Sequence, residues 1–212
     1  MRMSVLTLYP LKVRAGLLLV VGLIYLIVCA GLFAEELKLP DEIDDTSATI
    51  TNVAGQEVRP FATADSKASV LIFVTQDCPI SNAYSPELGR LRDEYQKLGF
   101  KMTLVYVDPD VSDEDIKAHM KDYRLEGYAA IVDRKHQLVE AAGATITPEV
   151  AVVDPDGAIA YRGRIDNMYP YLGQRRRVVT ERDLRNALDL ISENKSVAVT
   201  RTQAVGCYVP NL

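Results

Sequence analysis

The 212-residue chain has no tryptophan, two histidines and three cysteines. The histidines, His119 and His136, lack ligand spacing to one another and to any cysteine. His119 is expected on an outward helix face and His136 in a polar turn, both in solvent, and no metal site is assigned. A basic stripe is also missing. The formal net charge is -5, and beyond the three cations of the first 34 residues the chain carries 21 basic against 29 acidic side chains. Such a surface disfavours nucleic acid and anionic lipid as partners. There is no internal repeat. Hydrophobic content of 48 % and charged content of 25 % are those of an ordinary globular chain, long enough for one α/β domain with a full core.

One long apolar run is present. Ala15 to Ala34 is twenty residues without a charge, preceded by Arg2, Lys12 and Arg14. That length crosses a bilayer as a helix, and the upstream cations favour a cytoplasmic N-terminus. Residues 1–34 are therefore expected to be an uncleaved anchor or, alternatively, a signal peptide cut after the small residues near Ala30. Cys29 has the look of a lipoprotein site, but Val28 is the wrong residue before it. Each alternative puts the rest of the chain in the cell envelope, outside the cytoplasmic membrane. Residues 35–48 read as an acidic linker, 49–193 as the folded domain, and 194–212 as an aperiodic tail.

Within the domain, Val70 to Thr75 is an apolar, β-branched run with the pattern of a buried strand. Tyr84 to Leu98 has helical spacing and stops at Gly99. Met102 to Val107 is a strand. Ser112 followed by Asp113, Glu114 and Asp115 signals a helix start, the helix running to about Arg124. Tyr128 to Val132 is a strand, and Gln137 to Ala142 a short helix closed by Gly143. Glu149 to Val153 and Ala158 to Arg162 flank the turn Asp154 to Gly157, which makes an antiparallel hairpin. Thr180 is expected to cap a last helix ending near Ser192. The order predicts a mixed central sheet with helices on both faces.

The sulfur of Cys78 stands between the first strand and a helix that Pro79 opens. Backbone N–H groups at a helix start stabilise a thiolate there. Burial as an inert apolar thiol is the alternative, and Asp77 would oppose ionisation if it faced the sulfur. Cys78 and Cys207 are the two cysteines beyond the apolar run, 129 residues apart.

Cys78-Pro79 after a strand, Thr147-Pro148 before a strand, and a hairpin followed by a helix together resemble the redoxin branch of the thioredoxin fold, which contains peroxiredoxins and membrane-tethered thiol–disulfide proteins. The resemblance covers Thr49 to Ile191. It implies an attacking thiol at Cys78. It also implies a cis proline at Pro148, with the backbone at Thr147 forming a groove for extended substrate. Two departures stand out. Ser81 occupies the position of the second cysteine of thioredoxin-like reductases and cannot resolve a mixed disulfide. Thr75 matches the peroxiredoxin threonine, but Leu71 replaces the proline before it, and the catalytic arginine falls near Pro148. Arg162 and Arg164 are candidate substitutes, and Tyr84 a candidate lining residue.

The activity that the resemblance implies is that of a thiol–disulfide oxidoreductase. Cys78 would be the nucleophile, Cys207 a distal resolving cysteine, and the tail would fold over the helix start. The substrate would be a protein disulfide, a small thiol or a hydroperoxide, with an external thiol as reductant and no organic cofactor. A peroxiredoxin-type peroxidase and a non-catalytic Cu(I)- or partner-binding module stay open. So do a structural Cys78–Cys207 disulfide and an unpaired Cys207. Tyr169, Tyr171 and Tyr208 either cover the cleft or pack within their loops, and Arg175 to Arg177 read as a solvated loop.

Overall fold

The computed structural model describes Ile43, residues 49–61 and residues 65–212. The expected anchor or signal segment, 1–34, lies outside the described residues, as does the acidic linker apart from Ile43. Among the described residues, no helix is long and apolar enough to cross a membrane. Ile43 is buried, and its N–H donates to Gly157 O at 2.8 Å.

The centre is β3 (Ala68–Val74), seven residues with every side chain buried. Successive strand side chains point to opposite faces, and β3 feeds two cores in this way. Val70, Ile72 and Val74 join Leu88, Leu91, Ile116, Leu184 and Leu188 on one side. Leu71 and Phe73 join Leu138, Val139 and Ala142 on the other. β3 pairs in parallel with β4 (Phe100–Tyr106), which pairs in parallel with β5 (Ala129–Val132). On its other edge β3 pairs antiparallel with β7 (Glu149–Val153), and β7 with β8 (Ile159–Gly163). The sheet order is β5-β4-β3-β7-β8. A small hairpin of β1 (Ile50–Thr51) and β2 (Glu57–Val58) precedes it.

The helices lie on both faces, as the sequence order predicts. α1 (Pro79–Ala83), α2 (Ser85–Tyr95), α3 (Asp113–Asp122) and α5 (Asp183–Ser192) cover the first core, and α4 (Gln137–Ala142) the second. The helix that Pro79 opens is α1, and the one expected over Tyr84 to Leu98 is α2, continued by a 3-10 turn at Gln96–Leu98 before Gly99. Pro86 has no N–H to give and its ring crowds the preceding turn, so α1 ends and α2 begins with Pro86 in its first turn. The Ser112 cap is as expected, with Asp115 N donating to Ser112 Oγ at 3.1 Å. The Thr180 cap is corrected. Thr180 is drawn to Asn167 by two hydrogen bonds, and α5 starts at Asp183.

Both histidines also correct the expectation. His119 and His136 are buried, at 9 % and 8 % exposure. His119 bridges Tyr106 OH and Asn82 Oδ1, each at 2.9 Å. A ring between two polar partners loses little on leaving water, which a surface-helix pattern cannot register. His136 meets Val107 O through Nε2 at 2.9 Å.

The aperiodic tail is ordered by pairing. Thr200 O and Thr202 N bond Arg162 along the outer edge of β8, at 2.8 and 3.0 Å. The chain then crosses to β6 (Ile146–Thr147), which pairs antiparallel with β9 (Cys207–Tyr208). Gly163 permits the crossing. Its φ is +143°, and a Cβ there would lie 2.8 Å from the Thr202 carbonyl carbon.

Leu104 is fully buried at the middle of β4. Leu104→Ala is expected to lower the unfolding free energy by about 2–5 kcal/mol. Equilibrium urea denaturation measures this, and a loss below about 1 kcal/mol would contradict the packing described.

Candidate functional site: a thiol pair at the cis-proline loop

β3 delivers the chain to Thr75, and a short turn brings Cys78 to the N-cap of α1 in extended geometry, φ -79° and ψ 110°. Pro79 is the first residue of the helix, where its missing N–H costs nothing. Cys78 Sγ accepts the Ser81 N–H at 3.4 Å and donates to Thr147 O at 3.2 Å. The Thr147-Pro148 peptide is cis, as the resemblance implies.

The tail completes the site. Thr147 is the register partner of Cys207, and Ile146 of Tyr208. Thr147 Oγ1 donates to Cys207 O at 3.4 Å, and Val209 N to Thr145 O at 3.1 Å. Cys207 thus arrives against Cys78. Both thiols are free, and each shifts the other's ionisation.

The shifts run in opposite directions. Burial pushes the Cys78 thiol up, but the Cys207 thiol, the Ser81 N–H and side chain, and the Cys207 N–H together outweigh it, and the net value is lowered. Burial and the developing charge on Cys78 push Cys207 up to about 12. Cys78 is therefore the sulfur that ionises first, and Cys207 the one that keeps its proton. Exposure runs the other way. Cys78 is 2 % exposed, whereas Cys207 is half-buried.

The other expected residues divide. Thr75 is present, its hydroxyl 3.5 Å from Thr147 Oγ1. Ser81 is buried, its N–H donates to the sulfur, and its side chain also favours the Cys78 thiolate. Tyr84 is buried behind the helix start, donating to Asp166 Oδ1 at 2.7 Å with its ring 5.9 Å from that of Tyr169. The two arginines have other partners. Arg162 is buried and donates to Ala142 O at 2.8 Å. Arg164 is held by Asp183 at 2.7 Å and by Glu181. Those carboxylates stand beside the expected helix cap, and nothing in that position hints that they hold the guanidinium. Asp77 is exposed.

Two residues of the site escape a reading of the sequence. Glu149 is buried directly after Pro148, and its Oε2 accepts the N–H groups of Thr145 and Ile146 at 2.9 and 3.3 Å. It fixes the loop that presents Thr147 O, and burial raises its pKa. A glutamate opening an apolar strand, Glu149 to Val153, is the available signal. Gly206 is the other. A Cβ there would overlap the Thr147 carbonyl, lying 2.7 Å from its carbon.

A thiol at a helix N-cap just after the central strand, bonded to the residue before a cis proline, in a mixed sheet with helices on both faces, defines a thioredoxin-like fold. The chain belongs to the AhpC/TSA family, whose sequence profile matches residues 37–162. A hypothetical protein from Sinorhizobium meliloti 1021 is similar at 24 % identity with a TM-score of 0.68, over 81 % of this chain and 93 % of that one. An uncharacterized conserved protein from Geobacillus kaustophilus is similar at 24 % identity and a TM-score of 0.66, over 82 % and 95 %. Mycobacterium tuberculosis DsbF, solved in mixed oxidized and reduced forms, is similar at 15 % identity and 0.51, over 73 % and 99 %. No curated protein matches the chain in sequence.

The thiol asymmetry has a pH signature. Folding lowers the pKa of Cys78, so its ionisation adds stability above the unfolded thiol's pKa, and this is lost as the pH falls through the folded value. Cys207→Ala removes the neighbouring donor, and the ultraviolet absorbance of the Cys78 thiolate is expected to appear at higher pH than in the parent. An unchanged or lower transition would show that the Cys207 thiol does not stabilise the thiolate.

Proposed function

We propose that the chain is a thiol–disulfide oxidoreductase in which Cys78 is the nucleophile and Cys207 the resolving cysteine. The single observation that carries this reading is the pairing of Thr147 with Cys207, which sets a second thiol against the N-cap sulfur although Ser81 replaces the nearby one. The Cys78 thiolate attacks one sulfur of a substrate disulfide, whose other sulfur leaves as a thiolate. Cys207 then attacks the Cys78 sulfur and passes its proton to the departing substrate thiolate. The substrate ends as a dithiol and the chain as a Cys78–Cys207 disulfide, which an external dithiol reduces.

The depressed pKa of Cys78 suits attack, and it also makes Cys78 a good leaving group when the disulfide is reopened. Thr147 and Pro148 shape the substrate groove. Thr75 supports the hydroxyl of Thr147. A peroxidase would need a cation beside the sulfur, and the ion pairs of Arg164 with Asp183 and Glu181 speak against that role for it. The Cu(I) reading rests on the two thiols alone. We place the domain outside the cytoplasmic membrane, tethered through residues 15–34.

Mass spectrometry of the full-length protein across graded thiol–disulfide buffers tests the reading. A reversible loss of two hydrogens at a poise between about -120 and -270 mV is expected, the span of working thiol–disulfide proteins. It should vanish in both Cys78→Ser and Cys207→Ser. Absence of a Cys78–Cys207 disulfide at every poise would refute the two-cysteine mechanism.

A further inference from the structure

β9 lies along β6, the edge that the proposed function gives to an extended substrate. It pairs antiparallel with β6 and sets its cysteine opposite Thr147, against Cys78. The chain's own tail therefore shows what the groove accepts, position by position. Before the cysteine, a Cβ on Gly206 would overlap the Thr147 carbonyl, the same carbonyl that receives the Cys78 S–H. That is a steric demand made by backbone, which cannot move aside as a flexible side chain can. Glu149 stiffens it further by holding the Thr145 and Ile146 N–H groups. After the cysteine there is no such demand, since Tyr208 is 83 % exposed. One residue further on, Val209 is buried in the second core and its N–H bonds Thr145 O.

We infer that the groove beside Thr147 selects protein disulfides whose reacting cysteine sits in an extended Gly-Cys-x-apolar segment, and that residues 203–212 are a resident copy of that segment which the substrate replaces. This inference rests on the thiol–disulfide reading above and specifies its substrate. Replacement is required by access. Cys78 is 2 % exposed while the tail is seated, so an incoming disulfide meets its sulfur only after β9 leaves. The tail is held above this point by Thr202. Its Oγ1 meets Tyr161 OH at 2.6 Å and accepts the Arg164 N–H at 3.1 Å. Release therefore begins at 203. With the substrate in place, Cys78 attacks the sulfur beside the glycine and the second substrate sulfur departs. The returning Cys207 breaks the mixed disulfide as described above.

The experiment uses full-length protein carrying Cys29→Ser and Cys207→Ser, so that Cys78 is the one remaining thiol. Two further variants unseat the tail. Gly206→Ala places a methyl against the Thr147 carbonyl, and Val209→Asp removes the apolar anchor while leaving Gly206 intact. The probes are the pentapeptides Val-Gly-Cys-Tyr-Val and Val-Ala-Cys-Tyr-Val, each as a mixed disulfide with thionitrobenzoate. Attack by Cys78 on the peptide sulfur forms the Cys78–peptide disulfide and releases coloured thionitrobenzoate, with no net oxidation. In both unseated variants the glycine peptide is expected to react at least tenfold faster than the alanine peptide. With the tail seated, both should be at least tenfold slower than the glycine peptide is with an unseated tail. Replacing the peptide tyrosine by serine should change the rate less than twofold. Equal rates for the glycine and alanine peptides in either soluble, folded unseated variant would overturn the inference. A control with free dithiobis(nitrobenzoate) separates the two readings. If Cys78 reacts with it but ignores the glycine, the selectivity fails and the redox reading stands. If Cys78 of the unseated variants fails to react even with this small disulfide, the redox reading itself fails.

Discussion

Thr147 is the residue on which the site depends. Its carbonyl receives the Cys78 S–H, its hydroxyl meets Thr75 and Cys207 O, and its backbone pairs with the tail. Three remote parts of the chain thus meet at one peptide unit: the end of the central strand, the cis-proline loop, and the last stretch of the tail. A buried polar arrangement of this kind holds its geometry because each member left without a partner would carry a desolvation cost of about 1–3 kcal/mol. Glu149 extends that constraint outward, trading its own difficult burial for two backbone hydrogen bonds that keep the loop in place.

The two sulfurs differ in ionisation and in exposure. Cys78 has the depressed pKa and lies buried, while Cys207 keeps its proton and lies nearer solvent. In a reductase with both cysteines on one loop, their spacing is fixed by the helix. Here it is set by strand pairing between β6 and β9, so the distance between the thiols is governed by whether the tail is seated. Under the proposed mechanism, exchange chemistry and conformational state are two aspects of a single equilibrium. Family membership fixes the scaffold, whereas the tail is outside the stretch that the family profile covers, 37–162.

Much of the scaffold is legible in the sequence because its signals are local. The apolar run to Thr75, the Ser112 cap, the Asp154 to Gly157 turn and the Cys-Pro and Thr-Pro pairs each act within a few residues. The expectations that failed were decided by distant partners. His119 reads as a surface residue until Tyr106 and Asn82 are brought to it. The ion pairs that hold Arg164 likewise come from side chains further along the chain, Asp183 and Glu181. Thr180 reads as a cap until Asn167 engages it. The tail has no period because its strands are two residues or less, too short to show alternation, and its order comes from the elements it pairs with. The importance of Gly206 is invisible for the same reason, being a matter of clearance from the carbonyl of Thr147, far back in the chain.

The run from Thr200 to Thr202 does something apart from the chemistry. An exposed edge strand with free N–H and C=O groups is a template for joining sheets of different molecules. Here Thr200 O and Thr202 N occupy the outward groups of Arg162 on β8, the last strand of the sheet. The tail is therefore two devices in series, an edge guard and then a groove occupant, separated by the Thr202 latch. A chain that must free its C-terminal strand to work would, without that latch, bare a sticky edge every time it opened. If the tail is released from residue 203 as proposed, the Thr202 contacts keep the outward groups of Arg162 covered while the groove opens, so that release and edge exposure are separate events.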